Sequence, residues 1–219
     1  MIGKRTRFDF EMDEPFWCAE QEKEKEKKKD DKFSSHQEEG KDKLVFCDYD
    51  HIYYYDNVNK KSALEFIKLL RQTDEKLQVK KFRGDITEPI IHIHLNSPGG
   101  SLLQGFAMAS AVKACKSKTI GYAEGMVASA ITLPWVVCDV RKIQKYCYCL
   151  IHQLSSWFCG SYENFKDNKE NLDRFMDQIV KLYLEHTKVP ESEIRDILKH
   201  DIFWDAEKCM ELKLADSTC

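Results

Sequence analysis

A chain of 219 residues with 42% hydrophobic residues can bury one sizeable core, and its net charge of −3 excludes a strongly basic surface that holds nucleic acid or an anionic membrane by charge alone. No apolar run is long enough to span a bilayer, and the N-terminus MIGKRTRFDFEMDEPFW has neither the apolar core of a secretory signal nor the acid-poor composition of a transit peptide. Nine cysteines, odd in number and without a CxxC pair, read as reduced thiols of a cytoplasmic protein, several of them in the core. Cys147 and Cys149 fall on one strand face and make a poor zinc pair.

In chain order, residues 1–43 are predicted to be a charged, flexible extension. Residues 20–43 carry too few apolar side chains to order themselves. Upstream, Phe8, Phe10, Phe16 and Trp17 form an aromatic cluster suited to docking. The folded part is predicted over residues 44–219. Leu44–Phe46 and His51–Tyr55 read as strands, and Lys61–Leu70 as an amphipathic helix with Leu64, Ile67 and Leu70 on its apolar stripe. The polar stretch Thr73–Glu88 predicts an exposed loop. A buried strand over residues 90–95 then leads into Asn96-Ser97-Pro98-Gly99-Gly100 and a small-residue helix near 102–115. Thr119–Ala123 reads as a strand, Val127–Val137 as a buried helix and Arg141–Leu150 as one or two strands. Glu163–Thr187 predicts a long helix with Leu172, Phe175, Ile179, Leu182 and Tyr183 on one stripe, and Pro190 opens another carrying Ile194, Ile197 and Leu198. Strands alternating with helices predict an α/β domain with a largely parallel sheet.

Three side chains could do nucleophilic chemistry. Ser129 sits at a strand-to-helix junction, His152 just after a strand, and Asp201 at a helix end. A serine needs a base within hydrogen-bond reach, and the base needs a third group to fix its tautomer and balance its cation. A helix start also leaves free N–H groups, here that of Ala130, for a developing oxyanion, and the Gly99-Gly100 turn can supply a second donor. Taken singly, each residue fits a plainer role. A serine among alanines packs, a histidine after a strand is hydrogen-bonded core, and an aspartate before Ile-Phe-Trp caps.

Their order is more specific. LNSPGGSLLQGFAM, TIGYAEGMVASAITL, LIHQL and HDIFWDAEKCMELKLAD together resemble the proteolytic subunit of the Clp protease, a serine peptidase of the crotonase-like fold built from repeated β-β-α units. The likeness runs from about residue 44 to 217 and is nearer the phage and viral branch of that family. It implies that Ser129 is the nucleophile, His152 the base and Asp201 the orienting acid. The amides of Gly100 and Ala130 would form the oxyanion hole, and Gly99 and Gly100 would line an extended peptide. It implies endopeptidase action on unfolded polypeptide without cofactor or metal, homo-oligomeric rings with an enclosed chamber, the Glu163–Thr187 helix as the handle between rings, and an ATP-driven AAA+ unfoldase as partner. Two other readings stay open: a catalytically inactive assembly subunit, and a crotonase-like acyl-CoA enzyme, which also holds an oxyanion on two backbone amides.

The chain departs from that pattern in places. The extra pair Ala123-Glu124 precedes the nucleophile turn, Ala130 stands where the family has Met, Pro134 falls in the nucleophile helix, and the charged extension replaces the loops that meet the unfoldase. A lysine base, Lys142 or Lys145, explains less than the His/Asp pair. His92 and His94 share a strand face and read as a satisfied structural pair rather than metal ligands. His200 reads as a helix-end cation that competes for Asp201, and His186 and Glu124 as surface residues.

Overall fold

Ile91, Ile93 and Leu95 alternate with His92 and His94, and a period of two with one apolar face makes a half-buried strand. In the computed structural model, which describes residues 43–156 and 158–219, that strand is β3 (Ile90–Ser97), at the centre of a seven-stranded sheet. The expectations for the charged extension and its aromatic cluster fall on residues 1–42, outside the described residues.

The hydrogen-bonded order is β1-β2-β3-β4-β5-β7, from β1 (Val45–Asp48), β2 (His51–Tyr54), β4 (Lys118–Ala128), β5 (Val140–Ile143) and β7 (Ser217–Thr218). β6 (Tyr148–Leu150) pairs with the far end of β4. Among the described strands the β1–β2 hairpin is antiparallel and every other strand pairing is parallel. The predicted α/β class with a parallel-rich sheet is the one observed.

One face of β2 and β3, with Ile52, Tyr54, Ile91, Ile93 and Leu95 fully buried, joins the core formed by α1 (Lys60–Arg83), α2 (Leu102–Lys113) and α3 (Thr132–Val136). α1 starts at a reciprocal cap: Asn59 Oδ1 accepts from the Lys61 and Ser62 amides at 2.9 and 3.0 Å, and Ser62 Oγ accepts from the Asn59 amide at 3.1 Å. It ends at Gly84, whose φ of 82° suits a left-handed cap.

The predicted loop Thr73–Glu88 is mostly helix. The buried stripe of α1 is Ala63, Phe66, Leu70, Thr73 and Leu77, steps of three and four that run through the polar stretch. Leu64, expected on that stripe, is exposed. Asp74 accounts for one polar residue here: its carboxylate accepts from the amides of Lys116 and Ser117 at 3.1 and 2.8 Å and from Ser117 Oγ at 2.6 Å, tying α1 to the turn before β4. Burial opposes its ionised form, but these hydrogen bonds outweigh it and hold the carboxyl below its usual value. A depressed carboxyl stabilises the fold above its unfolded pKa, and that stabilisation is lost as pH falls through the folded value. Asp74→Ala is therefore expected to lower stability at pH 7 by about 1–3 kcal/mol, with the gap to wild type closing in denaturant titrations below about pH 4.

β4 is longer than predicted, and the predicted helix Val127–Val137 resolves into the end of β4, a 3-10 turn (Ser129–Ile131) and the short α3. Pro134 lies in the first turn of α3, where its missing N–H breaks no helical bond. α4 (Tyr162–His186) buries Ile179, Val180, Leu182 and Tyr183 in its C-terminal half and leaves Tyr162 and Phe165 exposed. His186, expected at the surface, is half-buried, and its carbonyl accepts from the Arg141 guanidinium. α5 (Glu191–Ile197) and α6 (Ala206–Glu211) complete the chain. Cys138, Cys147, Cys149 and Cys209 are buried free thiols; burial pushes Cys138 and Cys147 up to about 12, so both stay protonated.

Candidate active site

Ser97 Oγ accepts from the Gly99 amide at 3.1 Å, which turns the chain sharply at the end of β3. Gly99 and Gly100 follow with φ of 94° and 140°. Gly100 bridges Val58 in parallel fashion: the Val58 amide donates to the Gly99 carbonyl at 2.7 Å, and the Ser101 amide to the Val58 carbonyl at 2.8 Å. In that pattern the bonds to Val58 come from the residues flanking Gly100, so its own N–H points away from Val58. Gly99 packs directly on the Ser129 turn. A Cβ there would lie 2.5 Å from the Ala128 carbonyl oxygen, 2.6 Å from Ser129 Cβ and 2.9 Å from the Ala130 nitrogen. The glycine turn and the serine turn are thus in backbone contact.

Ser129 itself has φ 59°, a left-handed conformation that L-residues seldom hold. Strain of this kind collects where surrounding structure over-determines it. Here Thr132 Oγ1 donates to the Ser129 carbonyl at 2.5 Å and lies 2.5 Å from the Tyr183 hydroxyl of α4. The sequence offered no signal for this anchor, because Thr132 and Tyr183 are far apart in the chain. Ala130 is the second residue of the 3-10 turn, where the first amides lack helical partners.

β6 pairs with β4 through Met126↔Tyr148, Val127↔Cys149 and Ala128↔Leu150. The Ser129 turn and the Ile151-His152 segment therefore leave the same end of neighbouring strands. His152 is fixed from its other side. The amide and carbonyl of Cys149 exchange 2.8 Å bonds with those of Trp204, and the Gln153 amide donates to the Leu198 carbonyl at 2.6 Å. The loop between these two clamps carries Asp201, whose Oδ1 lies 2.9 Å from His152 Nδ1 as an ion pair. The His152 side chain is 10% exposed and that of Asp201 65%. His152, rather than the exposed His200, pairs with this carboxylate, which is open to solvent.

Lys142 and Lys145 place their ammonium groups 5.6 and 5.5 Å from the ring centres of Tyr122 and Tyr146. Lys142 pairs in register with Tyr122, well up β4 from Ser129. His92 Nδ1 lies 2.9 Å from the Tyr122 hydroxyl, and His94 Nδ1 2.8 Å from Glu124 Oε1. Glu124, expected at the surface, is buried. Among the described residues no three His, Cys, Asp or Glu side chains converge on a metal position, and no helix is long and apolar enough to cross a membrane.

A family model for Clp protease matches residues 40–219. The chain belongs to the Clp protease family. A Clp-family relative, the ATP-dependent Clp protease proteolytic subunit of Deinococcus radiodurans, is 24% identical over 131 residues, which is 59% of this chain and 64% of that subunit's length. The chain thus matches less than two thirds of that curated relative. A solved structure of a ClpP1 mutant from Listeria monocytogenes superposes with a TM-score of 0.68 at 17% identity, covering 78% of this chain and 91% of that one. The Clp protease fold is therefore shared well beyond the level of sequence identity.

Proposed function

We propose that this chain is a serine endopeptidase acting on extended, unfolded polypeptide. The observation that carries the reading is the His152–Asp201 pair at 2.9 Å, clamped beside the strand that ends in the left-handed Ser129. In this reading Ser129 Oγ attacks the scissile carbonyl carbon while His152 Nε2 takes its proton. Asp201 holds Nδ1–H and so fixes the tautomer and balances the imidazolium. The oxygen that gains charge is met by the Gly100 and Ala130 amides, whose turns touch through Gly99. Collapse breaks the C–N bond, His152 returns the proton to the leaving amine, and water repeats the cycle on the acyl-serine.

Family membership supports assembly into a ring with the sites facing an enclosed chamber. The name of the Deinococcus relative supports work with an ATP-driven unfoldase, although peptide hydrolysis itself consumes no ATP. The test is incubation of the purified chain with unfolded casein, with light scattering to read its mass. Fragments from wild type and none from Ser129→Ala, in a particle of several subunits, are expected. Intact casein with an assembled wild type would overturn the peptidase reading and leave an assembly subunit.

A further inference from the structure

The extra pair Ala123-Glu124 has a structural consequence. β3 and β4 pair as Leu95↔Ala123 and then as Ser97↔Val127, so β4 carries two surplus residues opposite Asn96. The bulge is built around Gly125 at φ 59°, beneath the Asn96 side chain, whose Oδ1 accepts from the Met126 amide at 3.3 Å. It divides β4 into a part paired with β5 and a part paired with β6, and the second part runs straight into Ser129. Glu124 is on this bulge. Its two oxygens are both occupied: Oε1 accepts from His94 Nδ1 at 2.8 Å, and Oε2 accepts from the Tyr55 hydroxyl. The Glu124 and His94 side chains are each 12% exposed. His94 is held in turn by His51 Nδ1, 2.9 Å from its Nε2, and by stacking on Tyr53 and Tyr122 at 4.5 and 4.6 Å. Three neighbouring strands thus converge on one carboxylate at the point where β4 bends.

We propose that Glu124 is a positioning residue: clamped by His94 and Tyr55, it fixes the bulge and through it the direction in which Ser129 leaves β4. Its catalytic consequence rests on Ser129 being the nucleophile; the clamp itself does not. The titratable and charged groups around the pair are His51, Tyr53 and Tyr55 from the hairpin, with Asp50 against His51, then His92 of β3, Tyr122 of β4 with Lys142 of β5 over its ring, and Cys147 and Cys219, which both feel the Glu124 charge. A cleft of about 460 Å³ lined by His94, Tyr122, Glu124, Gln144, Lys145, Tyr146 and Cys219 opens the clamp to solvent protons. Burial opposes ionisation of Glu124, but the bonds from His94 and Tyr55 and the His94 charge hold its carboxyl below the usual value, so the clamp closes above that range and loosens as pH falls through it.

The experiment is hydrogen exchange by mass spectrometry on the assembled full chain, as wild type, Glu124→Gln and His94→Gln, with fluorophosphonate labelling and peptide kinetics alongside. Exchange over residues 125–131 is expected to rise about tenfold in both variants while α1 is unchanged. Wild type alone should show an added rise on acidification beyond the intrinsic exchange rate. kcat is expected to fall between about ten- and a hundredfold with KM unchanged. Equal exchange in all three proteins would overturn the clamp. Faster exchange in the variants of a wild type that never labels would establish the clamp and sink its catalytic consequence together with the peptidase reading.

Discussion

Ser129→Ala is expected to lower kcat for peptide hydrolysis by on the order of 10⁶, and His152→Ala by about as much, with the double variant no worse than either alone. In the proposed mechanism the two residues act as one unit: without the base the hydroxyl keeps its proton, and without the hydroxyl the base has nothing to activate. Asp201 stands apart. Its Oδ1 lies 2.9 Å from His152 Nδ1, but its side chain is 65% exposed, so in the proposed triad water can replace part of its work. Asp201→Asn is therefore expected to cost less than the about 10⁴ seen where the acid is buried. Single-turnover kinetics with a fluorogenic peptide check all four variants. A Ser129→Ala protein retaining a tenth of wild-type activity would point to another nucleophile.

The second large effect is at Gly99. An alanine there would drive Cβ to 2.5 Å from the Ala128 carbonyl oxygen and 2.6 Å from Ser129 Cβ, in a backbone with φ 94°. Both obstacles are backbone or the serine itself, so no flexible side chain can yield. The left-handed conformation adds about 1–2 kcal/mol and overpacking about 1–3 kcal/mol more. Relief comes from parting the glycine turn from the serine turn, which would move the Gly100 amide off the oxyanion position proposed for it. The expected result is a loss of about 10²–10³ in kcat through that displaced donor, on top of a lowered melting temperature. Gly84→Ala is the control: it also has a positive φ, but a Cβ there meets nothing within 4 Å, and it caps α1 away from Ser129. A Gly99→Ala protein with normal kcat would show that the contact between the two turns does not position the oxyanion donor.

What the sequence made legible follows from the range of each signal. Alternation in residues 90–95 and the Pro-Gly-Gly turn are local, and they placed β3 and its turn correctly. The long helix at 162–186 and the strands about 45–54 were legible for the same reason. α1 was cut short because Thr73 and Asp74 look like loop residues until their partners are known: Thr73 continues the buried stripe, and Asp74 caps a turn more than forty residues away. Glu124 was misplaced because a bulge is a property of two strands in register, and a single chain does not display its register. The same holds for Thr132 and Tyr183, which meet only in the folded molecule. At the site, Ser129, His152 and Asp201 were each ambiguous alone; their order along the chain, set beside a known family, singled them out.

Reaction of the assembled protein with a fluorophosphonate, followed by peptide mapping of the adduct, decides whether Ser129 is an activated nucleophile. One adduct is expected, on Ser129, absent in Ser129→Ala and formed far more slowly in His152→Ala. An assembled protein that takes no adduct, or takes it on another serine, would contradict this expectation.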